Sequence, residues 1–161
     1  MKNIVKLVPV LALALAFALA SAAGAELLRF EPGSLRALEA ANAGRPFVLI
    51  LWATDCAPCR RELALVARLQ RERPELPVVL VASDDPGNEA AVLELLAEFG
   101  IGSRNAWIFG EAGAERLRYA IDPQWFGEVP RSYLYDAAAN RLAISGPLTE
   151  ERLLDWLDSS R

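Results

Sequence analysis

The 161-residue chain contains no histidine. That absence removes imidazole general-base catalysis, histidine metal ligation and histidine pH switching, so any chemistry must run on other groups. Basic residues are also in deficit: 17 Lys and Arg against 21 Asp and Glu give a formal charge of -4 and a pI near 5.0. Nucleic acid is therefore not an expected partner, because phosphate-tracking surfaces carry the opposite balance. Cysteine is scarce as well, with Cys56 and Cys59 the whole supply. Two thiols cannot complete a four-ligand zinc site, and without histidine the missing ligands would have to be carboxylates or a second molecule. A disulfide closing so short a loop restricts the unfolded chain little and makes a poor staple. Apolar residues, by contrast, make up 53% of the chain and charged ones 24%. That balance supports one domain with a buried core and excludes disorder and collagen-like repetition.

The first 25 residues differ in kind from the rest. Lys2 and Lys6 give a positive start, Leu7 to Ala20 is an apolar run with Pro9 in it, and Ala23-Gly24-Ala25 has the small-x-small pattern of a signal-peptidase site. The expectation is a signal peptide over residues 1–25, cut before Glu26, with a single domain over 26–161 delivered to the periplasm. An uncleaved membrane anchor is the alternative, but the apolar run is short for a span of ~20 residues and Ala-rich at its end. No cysteine lies near the cut, so a lipid anchor is not indicated. Cleavage removes two of the 17 basic residues and none of the 21 acidic ones, for a net charge of -6, and every remaining base is arginine.

Along the rest of the chain strands and helices alternate. Leu27 to Phe30 reads as a short strand, and Ser34 as the cap of a helix that stops near Gly44. Phe47 to Trp52 is a continuous apolar run, the mark of a strand buried on both faces. The cysteines follow it directly. Leu63, Val66 and Leu69 then fall on one helical face until Pro74 and Pro77 close the element. A second buried strand, Val78 to Ala82, leads through the turn-rich Ser83-Asp84-Asp85-Pro86-Gly87 to a helix from Glu89 to Phe99. Trp107 to Phe109 is a further strand, and Ala114 to Ala120 a short helix. An irregular aromatic stretch from Ile121 to Glu128 precedes Val129-Pro130. Ser132 to Tyr135 and Arg141 to Ile144 form a hairpin about a turn at Asp136 to Asn140, and a last helix starts after Thr149. The prediction is one α/β domain ending in an antiparallel hairpin.

Between a buried strand and a helix, Cys56 stands where free backbone N–H groups and the helix dipole favour an anion, which lowers the cost of a thiolate. Cys59 lies one turn on, close enough to pair. Pro58 suits the first turn because its missing N–H is not needed there. Such a pair can attack a disulfide with one sulfur and resolve the mixed disulfide with the other, with no cofactor.

Trp52-Ala53-Thr54-Asp55-Cys56-Ala57-Pro58-Cys59-Arg60-Arg61-Glu62 resembles the WATWCxPCRxE motif of TlpA/ResA-type thioredoxin-like proteins, which are exported thiol-disulfide oxidoreductases. The resemblance covers most of residues 27–158. It implies a thioredoxin-like fold: a central mixed sheet flanked by helices, with an extra βα segment around Val78 to Gly100. It also implies that Val129-Pro130 is a cis peptide facing the dithiol, with Cys56, Cys59, Glu62 and Pro130 carrying catalysis. Trp52, Asp55, Ala57, Pro58, Val129 and Arg131 would form the binding surface around them. The implied partners of this monomer are a disulfide-bearing client protein and a membrane electron donor.

The chain departs from the family pattern at several places. Asp55 replaces a tryptophan, Leu63-Ala64 follows Glu62 where a proline is common, and Arg131 replaces the usual threonine after Pro130. The strand position that holds a buried acid in many thioredoxins is Ile50, which leaves Glu62 as the candidate proton acceptor, set against a plain solvated helix carboxylate. A carboxylate beside Cys56 opposes its thiolate, which points to a reductase and not a strong oxidant. Trp52, Trp107 and Trp156 stand in apolar elements and read as core. Trp125-Phe126, in the loop before Pro130, either lines a partner groove or covers the core. Three functions compete: a dithiol reductase of protein disulfides, a module holding a soft metal such as Cu(I) between two thiolates, and a degenerate fold serving protein interaction alone, against which both cysteines and their place at a helix start speak. The implied cis-proline beside the dithiol speaks against the metal.

Overall fold

The computed structural model describes residues 26–160. The expected leader and its cleavage lie outside the described residues. Six strands and five helices follow in order: β1 (Leu28–Phe30), α1 (Ser34–Ala41), β2 (Phe47–Trp52), α2 (Ala57–Glu72), β3 (Val78–Ala82), α3 (Glu89–Glu98), β4 (Ala106–Phe109), α4 (Ala114–Ile121), β5 (Arg131–Tyr135), β6 (Arg141–Ser145) and α5 (Glu150–Ser159). The strands form one sheet in the order β1-β4-β3-β2-β5-β6. β1 to β4 run parallel in their pairings, whereas β5 lies antiparallel to β2 and to β6.

Period-two alternation explains why β2 reads as an unbroken apolar run: the sheet is covered on both faces. Val48, Ile50 and Trp52 join one core with Leu63, Val66 and Leu69 of α2, Val92 and Leu96 of α3, and Leu153 and Leu157 of α5. Phe47, Leu49 and Leu51 join the other with Leu35 of α1 and Leu117 and Ile121 of α4. All six residues of β2 are buried. Trp107 and Trp156 are partly buried and pack against these cores.

One expectation needs correction at α1. Gly33, not Ser34, occupies the cap. Ser34 opens the helix, and its Oγ accepts the Glu31 N–H at 2.9 Å, holding the preceding turn and not the helix end. The hairpin turn is tied as its residues suggest: Asp136 Oδ1 accepts the N–H groups of Ala138 and Asn140, each at 2.9 Å. Among the described residues no helix is long and apolar enough to cross a membrane.

Candidate redox site

The two parallel strands at the sheet centre, β2 and β3, end side by side, so the loops after them meet. The loop after β2 carries the cysteines, and the loop after β3 holds it in place. Asp84 accepts the Thr54 N–H at 3.1 Å and also the Thr54 hydroxyl. Ser83 donates its N–H to Trp52 O at 2.8 Å. Turn composition alone identifies Ser83-Asp84-Asp85 as a connector and misses this role. The parallel-strand pattern was the available signal, because neighbouring parallel strands must bring their C-terminal loops together.

Cys56 is the N-cap of α2, with extended backbone, and its Sγ accepts the Cys59 N–H at 3.2 Å. The two cysteines are joined by a disulfide, with their Cα atoms 5.2 Å apart. Cys59 is 1% exposed and Cys56 8%. Ala57 is exposed and Pro58 half-buried within the first turn of α2, so the short segment between the sulfurs faces solvent. Of the two cysteines Cys56 is the less buried, and it stands at the helix start, where the peptide dipoles favour its thiolate.

One turn beyond Cys59 on the same helix, Glu62 is 2% exposed and not a solvated carboxylate. Its Oε1 accepts the Ser132 hydroxyl at 2.9 Å and the Leu148 N–H at 3.3 Å. Its Oε2 is buried without a partner. Burial pushes the Glu62 pKa up from 4.5 to about 7, because the Ser132 and Leu148 bonds recover only part of the lost hydration. A carboxyl poised near neutrality, with one oxygen left open, can take or give a proton at physiological pH. Ser132 is a further residue of the site that the sequence does not reveal. Its register opposite Ile50 places it on the α2 side of the sheet, below Glu62.

Val129-Pro130 is cis. Pro130 is buried, while Val129 is half-buried and lines a cleft of about 490 Å³ with Thr54, Asp55, Asp84, Asp85 and Gly127. Asp55 is exposed on the rim. A larger cavity of about 560 Å³ lies at the opposite end of the sheet, between Pro46 and Pro77, and belongs to no chemistry at the sulfurs.

Two expected surface residues are elsewhere. Trp52 is 1% exposed, the last inward residue of β2, and is core. Arg131 alternates with Ser132, so its side chain lies on the face away from α2. There it is held by Asp122 at 3.3 Å and Glu128 at 3.2 Å and keeps 12% exposure. The Trp125-Phe126 pair divides: Trp125 is 4% exposed and Phe126 91%.

Solved structures share this architecture. The chain is similar to a thiol:disulfide interchange protein of the thioredoxin family from Chlorobium tepidum TLS, at 22% identity and TM-score 0.61 over 76% of this chain and 83% of that one. It is also similar to MTB DsbF, seen in mixed oxidized and reduced forms, at 18% identity and TM-score 0.59 over 75% and 84%. A thiol-disulfide isomerase from Corynebacterium glutamicum matches at 17% identity and TM-score 0.58 over 76% and 84%. No family model and no curated protein matches the sequence. The fold is thioredoxin-like. Within that fold the chain is a CxxC protein with its disulfide at the head of α2 and a buried carboxyl behind it.

Proposed function

We propose that the chain is an exported thiol-disulfide oxidoreductase that reduces disulfides in client proteins. The observation that carries this reading is the pairing of a helix-capping cysteine with a more deeply buried one, backed by a buried carboxyl whose pKa is raised to about 7. In the reduced protein the Cys56 thiolate attacks a client disulfide, forming the Cys56–client bond and expelling one client thiolate. Cys59 gives its proton to Glu62 Oε2 and attacks Cys56 Sγ, and the second client thiolate leaves and is protonated. Two electrons pass to the client. The Cys56–Cys59 disulfide is then returned to the dithiol by a two-electron donor, for which a membrane protein is the expected class. Export rests on the leader-like pattern of residues 1–25, and a periplasmic site would supply disulfide-bearing clients.

The competing reading would hold Cu(I) between the two thiolates alone, since among the described residues no group of three or more Cys, Asp or Glu side chains converges. Insulin reduction by the reduced protein, followed with a parallel Cu(I) titration, separates the two. Reduction at a rate set by Cys56 supports the oxidoreductase. Tight Cu(I) binding with no insulin reduction would replace it with a carrier.

A further inference from the structure

The loop between α4 and β5 is tied down more firmly than a connector of its length requires. Asp122, at its start, is 6% exposed at the side chain and accepts the Gln124 N–H at 3.0 Å and the Tyr133 hydroxyl at 3.0 Å. It also pairs with Arg131 and Arg141, each at 3.3 Å. Arg131 reaches back across the loop. One terminal nitrogen donates to Asp122, the other to Glu128 at 3.2 Å and to the Ser145 hydroxyl. The guanidinium lies over the Tyr133 ring, 5.0 Å from its centroid. Inside the loop Trp125 packs edge-on against Phe109, and its indole N–H donates to Glu128 O at 2.8 Å. Gly127 takes φ 101°, a left-handed backbone that a side chain would resist. Within this frame Phe126 is left 91% exposed, beside the Gly127 and Val129 that line the cleft next to Asp55.

Burying a guanidinium and a carboxylate costs desolvation that their attraction barely returns, so such a pair is a weak source of stability and a stronger source of defined geometry. A loop already ordered before contact spares a partner the entropy of ordering it. An exposed phenylalanine on a rigid loop offers apolar contact area at little conformational cost.

Resting on the oxidoreductase reading, we propose that Arg131 is a positioning residue. Through Asp122 and Glu128 it holds loop 123–129 in the conformation that presents Phe126 and Val129 to a client segment lying extended across the dithiol. Arg131 itself touches neither client nor sulfur. The partner that fits is an unfolded or extended polypeptide with an apolar side chain close to its disulfide.

The test uses the reduced full-length protein in single-turnover oxidation by insulin, at varied concentration, and by glutathione disulfide, which is too small to span the loop. Hydrogen–deuterium exchange over residues 123–129 runs alongside. Arg131→Met should raise the half-saturating insulin concentration about tenfold with the limiting rate within twofold, and should change the glutathione disulfide rate less than twofold. Exchange over 123–129 should speed up at least tenfold, and Arg131→Lys should restore both readouts to within threefold. Phe126→Ser should raise the insulin value similarly without changing exchange at Gln124 and Trp125. If Arg131→Met does not fold, the Asp122→Asn/Arg131→Met pair, which leaves no unpaired buried charge, takes its place with the same expectation. Equal losses with both substrates would overturn the proposal in favour of general support of the dithiol. Faster exchange with unmoved insulin saturation would show that clients do not read the loop. Unchanged exchange would show that Arg131 does not hold it. If the wild type oxidises with neither substrate, the oxidoreductase reading fails and the client role of Phe126 with it, while exchange still decides the clamp.

Discussion

Replacing Glu62 by glutamine isolates the energetic cost of the buried carboxyl. The substitution keeps shape and the acceptor at Oε1, so the Ser132 and Leu148 donors retain a partner, but it removes the charge. Below about pH 4.5 the proton is on Glu62 in both folded and unfolded chains, and the two proteins should differ little. Between pH 4.5 and about 7 the folded protein binds more protons than the unfolded chain, so wild-type stability falls as pH rises, and above 7 the loss is complete. A displacement from 4.5 to about 7, at 1.36 kcal/mol per pKa unit, corresponds to about 3 kcal/mol. Glu62→Gln should therefore be more stable than wild type by up to about 3 kcal/mol at pH 8 and by close to zero at pH 4.5. Urea unfolding of the oxidised proteins measures this, because the disulfide keeps both cysteines from titrating. The same variant should lose chemistry: with no group to accept the Cys59 proton, its disulfide exchange should be slower and its rate flatter between about pH 5 and 8. A stability difference equal at pH 4.5 and pH 8 would mean that Glu62 ionises alike in both states and that burial does not hold its proton.

Three further outcomes are expected. Ser132→Ala removes a bond that lowers the Glu62 pKa, so the midpoint of the pH–rate profile should move upward from about 7 and stability at pH 8 should fall by about 1 kcal/mol; an unmoved midpoint would show that the hydroxyl does not tune the carboxyl. Asp55 is exposed beside Cys56, so water screens it. At ~5 Å and a dielectric near 80, Asp55→Asn should ease Cys56 ionisation and raise the reduction potential by about 10–20 mV. Equilibration against glutathione checks the shift, and no change would leave Asp55 a rim residue without electrostatic influence. The signal-peptide reading of residues 1–25 predicts a mature chain beginning at Glu26, which intact mass tests against retention of that segment in the membrane.

Strong periodicity made most of the fold legible. Phe47–Trp52 and Val78–Ala82 are apolar throughout because helices cover both faces of the sheet, and the hairpin about Asp136–Asn140 follows from turn residues between short strands. What one-dimensional reading could not supply is register. Ser132 meets Glu62 and Arg131 turns to the opposite face only because β5 pairs antiparallel with β2 in one particular alignment, and a shift of one residue would exchange them. Trp52 reads as core from its apolar strand and is core: its motif sits at the dithiol, but its own side chain ends the inward-facing row of β2. The burial of Glu62 also depends on tertiary contacts, since its closing partner, the Leu148 N–H, comes from 86 residues away.

In the proposed exchange Cys56 attacks and Cys59 resolves. Mass spectrometry under non-reducing conditions, after Cys59→Ser and Cys56→Ser are each mixed with a peptide disulfide, decides that assignment. Cys59→Ser should accumulate a mixed disulfide through Cys56, because the less buried, helix-capping sulfur reacts and nothing releases it, while Cys56→Ser should remain unmodified. Trapping by Cys56→Ser alone would reverse the two roles, and trapping by neither would remove dithiol exchange as the function of this site.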